Sequence, residues 1–113
     1  MIPALGSVVH IDLNPIVGYE QGGMRPAIVV SPGELANAQR YPIVVVVPLT
    51  SKTGLSELYP VVQPYTRGLN KPSTVLVDQI RAIDKQRIRS VVAPLPALEM
   101  RRVDEALRKA LGL

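Results

Sequence analysis

The run Ile43-Val44-Val45-Val46-Val47, extended by Pro48-Leu49, constrains the fold more than any other segment. It is β-branched and apolar at consecutive positions. That pattern suits a strand covered on both faces, and so a central one. A central strand needs partners, and the chain supplies short candidates on either side. Ser7 to Leu13 alternates, with Val9, Ile11 and Leu13 on one face and Val8, His10 and Asp12 on the other. That is the signature of a half-buried strand. Ala27 to Ser31 and Leu58 to Val62 read as further strands, and Ser73 to Ile83 as a long one. Pro32 to Gln39 suits one short helical turn. Thr50 to Gly54, Thr66 to Lys71 and Asp84 to Arg89 read as turns.

The C-terminus carries the one long helical pattern. Pro96 suits a first turn. Met100, Val103, Leu107 and Ala110 or Leu111 form one apolar stripe, and Gly112 is a natural stop. The elements together predict a mainly β (α+β) fold: a small curled or barrel-like antiparallel sheet with short helices and a C-terminal helix. At 113 residues the chain supports one core, hence one domain over residues 1–113. Its apolar runs are far shorter than the ~20 residues of a membrane span. No basic-then-apolar leader is visible at the N-terminus, so a cytoplasmic protein without membrane contact is expected.

The function must work with a restricted set of groups. There is no cysteine, which removes disulfides and thiolate chemistry. There is one histidine, His10, read as an exposed strand residue. No histidine cluster has metal-ligand spacing, and the nine carboxylates are dispersed, so no metal or other cofactor is expected. No phosphate-cradling glycine motif occurs. The net charge is +4, and eight of the thirteen Lys and Arg residues lie from Arg81 onward. A polyanionic partner, nucleic acid first, fits that balance.

Against these absences stands the segment Gly18-Tyr19-Glu20-Gln21-Gly22-Gly23-Met24-Arg25-Pro26, which leads into Ala27-Ile28-Val29. Its glycines allow close approach to a ligand, and Pro26 holds Arg25 extended. Arg25 can grip a phosphate there, or pair with Glu20 as a loop clamp. Thr50, Ser51 and Lys52 are further phosphate-binding candidates. Asp78-Gln79 inside an apolar stretch calls for exposure or hydrogen bonding. Arg81, Lys85, Arg87 and Arg89 form either a solvated turn or a basic patch. This kit suits a reaction whose substrate brings its own nucleophile. RNA does so through the 2′-hydroxyl beside each phosphodiester.

Taken in order, the segments resemble the MazF/PemK family of toxin endoribonucleases. Gly6-Ser7-Val8-Val9-His10-Ile11-Asp12-Leu13-Asn14-Pro15 is similar to the family's opening strand and turn. Gly18 to Val29 matches its G-x-E-Q-x-G-x-R-P-x-x-V signature, and Val47-Pro48-Leu49-Thr50 the strand that ends in its active-site threonine. Leu69 to Ser73 and Val77-Asp78-Gln79-Ile80-Arg81-Ala82-Ile83-Asp84-Lys85-Gln86-Arg87-Ile88 match its second long motif. Val103 to Leu107 looks like its terminal helix.

The resemblance implies an SH3-like barrel acting as a homodimer. It implies sequence-specific, metal-independent cleavage of single-stranded RNA, leaving 2′,3′-cyclic phosphate and 5′-hydroxyl ends. It further implies a MazE-like antitoxin whose disordered acidic tail blocks the RNA groove, in a complex that binds DNA. Arg25 and Thr50 carry over as the catalytic pair, with Glu20 as a proton acceptor or an orienting group for Arg25. Tyr19, Gln21, Ser51, Lys52, Asp78, Gln79 and Arg81 carry over as RNA-binding candidates. Two positions depart from the pattern. Tyr19 stands where relatives often have a small hydroxyl residue, and His10 where they often have an aromatic one. Two other readings compete: a CcdB-like gyrase poison of the same fold, and a non-catalytic RNA- or protein-binding module.

Overall fold

The computed structural model describes residues 3–14, 23–38, 42–64 and 69–113. The expected central strand organises them. It is β3 (Ile43–Thr50), and it exchanges partners along its length. Its start pairs with β6 (Arg81–Asp84), its middle with β2 (Met24–Val29), and its last residues with β5 (Ser73–Val75). All these pairings are antiparallel. β2 pairs in turn with β1 (Ser7–Asp12), and β1 with β7 (Ile88–Pro94). β4 (Val61–Val62) closes on β5. Along the sheet the order is β4-β5-β3-β2-β1-β7.

The pleat gives this curled sheet two apolar sides. Val8, Ile28, Val47 and Leu49 face one cluster together with Val75, Val77, Val103 and Leu107. Val9, Ile11, Ala27, Val29, Val44 and Val46 face the other, with Ile83. A strand packed on both sides must be apolar throughout, which accounts for the β-branched run. A short helix, α1 (Gly33–Ala38), joins β2 to β3. The C-terminal helix, α2 (Ala97–Leu111), covers the first cluster with Val103 and Leu107. Gly112 ends it at φ 70°, and the N–H groups of Gly112 and Leu113 bond to the carbonyls of Lys109 and Arg108. The expected extension of its stripe fails: Leu111 is exposed. No helix among the described residues is long and apolar enough to cross a membrane.

The long strand expected over Ser73 to Ile83 is instead three pieces. Val77–Gln79 forms a 3₁₀ turn between β5 and β6. The turn buries Val77 and carries Asp78 outward, so the carboxylate stays clear of the core. The basic turn expected from Asp84 to Arg89 is a 3₁₀ turn only over Lys85–Arg87. The Asp84 side chain caps it by accepting from the Gln86 N–H at 2.8 Å. From Ile88 the chain is already β7, a strand that the sequence reading missed. Leu58 to Val62 is shorter than expected, with only Val61–Val62 in the sheet.

Candidate active site

β2 and β3 are antiparallel, so the beginning of one lies beside the end of the other. Their register pairs Ala27 with Pro48, Ile28 with Val47 and Val29 with Val46. Continued to the rim, that register sets Arg25 beside Thr50. Both residues line one open groove, together with His10, Pro26, Leu49, Ser51, Leu69, Asn70, Lys71 and Ser73. The groove measures about 290 Å³. That is at the low end for small-ligand pockets, and holds a group or two of a longer polymer.

Thr50 is only 2% exposed and its side chain is fixed. Its Oγ1 accepts the Lys52 N–H at 3.3 Å. A hydroxyl used as an acceptor still has its proton to donate. The next turn is held by Thr74, whose Oγ1 donates to the Lys52 carbonyl at 2.7 Å. Arg25 is half-buried and lies one residue inside the start of β2. A guanidinium so placed is a permanent cation with a forked set of donors, suited to a phosphate.

The strands that carry Arg25 are tied at their base. The Leu13 N–H donates to the Gly23 carbonyl at 3.0 Å, and the Gly23 N–H to Asn14 Oδ1 at 3.0 Å. Gly23 itself sits at φ 73°, a conformation that favours glycine. Asp12 Oδ1 accepts the Asn14 N–H at 3.0 Å. From the basic run, Arg87 Nη1 donates to the carbonyls of Asp12 at 3.0 Å and Asn14 at 2.7 Å. Arg89 pairs with Asp12 at 3.6 Å. Arg87 is thus a clamp on the base of the Arg25 segment, neither of the two roles the sequence left open.

The other expected site residues divide. Ser51 lines the groove with Arg25 and Thr50. Lys52 contributes through its backbone, and its exposed side chain is not among the groove's walls. Gln79 closes the 3₁₀ turn through its N–H to the Leu76 carbonyl at 2.9 Å, and Arg81, the first residue of β6, pairs with Val46 of β3. Asp78 belongs to a different pocket, with Leu58, Tyr59, Val77, Ala106 and Lys109. There it accepts a 2.6 Å hydrogen bond from the Tyr59 hydroxyl. That bond, then burial, then the charge of Asp78, push the Tyr59 hydroxyl up to about 12. Tyr19, Glu20 and Gln21 lie outside the described residues.

The sequence reading missed four polar groove residues: His10, Asn70, Lys71 and Ser73. For Leu69 to Ser73 the motif match was a signal, but it pointed to no side chain. For His10 the signal was its place on the Asp12 face of β1, which says nothing of what that face meets.

Comparison with known proteins identifies the family and the fold. Residues 4–111 match the family described as PemK-like, MazF-like toxin of type II toxin-antitoxin system. The chain is 36% identical to endoribonuclease EndoA of Bacillus subtilis (strain 168), over 100% of its own length and 97% of that protein's. Among solved structures, MazF of Deinococcus radiodurans superposes with a TM-score of 0.86 at 28% identity, covering 100% of this chain and 99% of that one. A chain of the MazE-MazF structure from the same organism gives 0.79 at 28% identity, covering 100% and 98%. The chain belongs to the PemK-like, MazF-like toxins of type II toxin–antitoxin systems.

Proposed function

We propose that this toxin endoribonuclease cuts single-stranded RNA at the Arg25–Thr50 rim by attack of the substrate's own 2′-hydroxyl. The observation that carries the reading is the β2–β3 register, which sets Arg25 beside Thr50 in one groove. In the step, the 2′-oxygen bonds to phosphorus and the bond from phosphorus to the 5′-oxygen breaks. The products are a 2′,3′-cyclic phosphate and a 5′-hydroxyl. One proton leaves the 2′-hydroxyl for Glu20 or solvent water, and one reaches the departing 5′-oxygen from solvent water.

Arg25 grips the scissile phosphate and neutralises charge on the pentacoordinate phosphorus, a preorganised electrostatic role. It is a poor base, because a guanidinium does not deprotonate in proteins. Thr50 donates its hydroxyl proton in a hydrogen bond to a non-bridging oxygen. Glu20 accepts the 2′-proton or orients Arg25. Ser51 and Lys71 extend the polar wall to neighbouring phosphates. The enzyme acts as a homodimer in the cytoplasm. An antitoxin with an acidic disordered tail competes with RNA for the same cationic groove.

The intact Arg25–Thr50 pair argues against a gyrase poison that works through its dimer-end helices, and against a non-catalytic module. The test is cleavage of a long defined RNA in EDTA by purified protein, with cuts mapped by primer extension. Arg25→Ala should slow cleavage by roughly 10²–10³-fold. Unchanged cleavage by that variant rejects the assignment, and cleavage abolished by EDTA rejects the metal-free step.

A further inference from the structure

β1 carries a residue that the proposed step does not use. His10 lies opposite Pro26 on β2 and opposite Ser90 on β7. Paired residues of antiparallel strands point to the same face, so the imidazole stands on the Pro26 side of the sheet. Pro26 and His10 both line the groove. The β1–β7 register shifts on either side of this point, between Val8 and Val9 and again between His10 and Ile11. Such irregularities re-aim side chains and are frequent beside active sites.

The ring is also oriented. His10 Nδ1 and Ser90 Oγ share a hydrogen bond of 3.2 Å. That leaves the Nε2 edge and the ring face to meet a ligand. Pro26 and Leu69 add apolar lining to the same groove. An oriented planar ring with apolar neighbours suits a nucleobase better than a phosphate. The chain has no Phe and no Trp, so few rings can stack on a base. Among the described residues of this groove, His10 is the one that offers a planar ring. Single-stranded RNA is read by stacking on such rings, histidine included, and by hydrogen bonds to base edges.

We propose that His10, oriented by Ser90, contacts a base next to the scissile phosphate and thereby helps set which sequences are cut. The inference rests on the endoribonuclease reading above and adds a specificity residue to it. Stacking on one base corresponds to roughly 5–150-fold in binding.

The experiment measures kcat and KM at individual sites of one long RNA for the wild type, His10→Ala, His10→Phe and Ser90→Ala. Melting temperatures check that each variant folds. His10→Ala should raise KM at preferred sites by roughly 5–150-fold and flatten the preference at one flanking nucleotide. His10→Phe should recover most of the affinity through stacking, with a changed base preference. Ser90→Ala should move in the same direction as His10→Ala, by less. A His10→Ala cut profile identical to the wild type overturns the inference. So does a uniform fall in kcat at every site with the preference intact. If the wild type itself cuts no RNA, the endoribonuclease reading fails and takes this inference with it.

Discussion

The groove at the Arg25–Thr50 rim and the pocket beside Tyr59 and Asp78 both draw on the segments that point to the family. They are built for different tasks. At the rim, Arg25 and Thr50 sit at adjacent strand ends, with Ser51, Asn70 and Lys71 around an open groove. Beside α2, Asp78 is occupied by Tyr59 at 2.6 Å. That bond fastens the end of the exposed segment 51–58 to the 3₁₀ turn. A carboxylate so engaged holds a loop in place, while the guanidinium proposed to grip substrate lines an open groove at a strand entrance. Motif membership alone does not separate the two roles. The groove each residue lines and the strand register do.

Paired substitutions test this contrast. The largest difference should be between Arg25→Ala, with cleavage down roughly 10²–10³-fold, and Asp78→Asn, with cleavage within about threefold of wild type. Single-turnover rates on one RNA measure both. A hundredfold loss in Asp78→Asn would return that residue to the RNA-binding surface. Next is Arg87→Ala, which leaves the carbonyls of Asp12 and Asn14 without their charged donor. It should cost about 1.5–3 kcal/mol in urea denaturation, and cleavage should fall with it as the Arg25 segment loosens. A loss of stability with no loss of cleavage would uncouple the clamp from the site.

A smaller effect is expected at the other end. Tyr59→Phe should cost about 1 kcal/mol, with cleavage near wild type. The same bond predicts a pH dependence. The folded Tyr59 hydroxyl is raised from 10.0 to about 12, so its contribution is full below pH 10 and is lost as pH rises through about 12. Absorbance titration should show a tyrosine component ionising near pH 12, and Tyr59→Phe should remove it. Smallest, and confined to the groove, is the effect of Lys71→Ala. It should flatten the salt dependence of RNA binding by about one counterion in slope without changing the cut sites.

The sequence revealed what depends on burial and hid what depends on curvature. The run Ile43 to Leu49 identified the central strand because a strand covered on both faces must be apolar throughout. Gly112 and the Val103–Leu107 spacing marked the terminal helix for a similar reason. β7 was hidden because Ile88–Pro94 is exposed or half-buried, alternates weakly and ends in proline. The break at Val77–Gln79 was hidden because Leu76 and Val77, just past the end of β5, are as apolar as strand residues. At the site, Arg25 and Thr50 were legible through the family motifs, and their adjacency follows only from the register. His10 was set aside because alternation says which face a residue occupies, not what stands opposite. Arg87 was one of four cations that read as a solvated turn or a basic patch, and its two carbonyl partners come from residues distant in sequence.

The Asn14–Gly23 base has a further consequence, for engineering. Leu13, Asn14, Gly23 and Arg87 tie the end of β1, the entry to β2 and the turn before β7 together at one point. A redesign of this toxin should therefore keep these four residues fixed, because a change at any one of them reaches three strands at once.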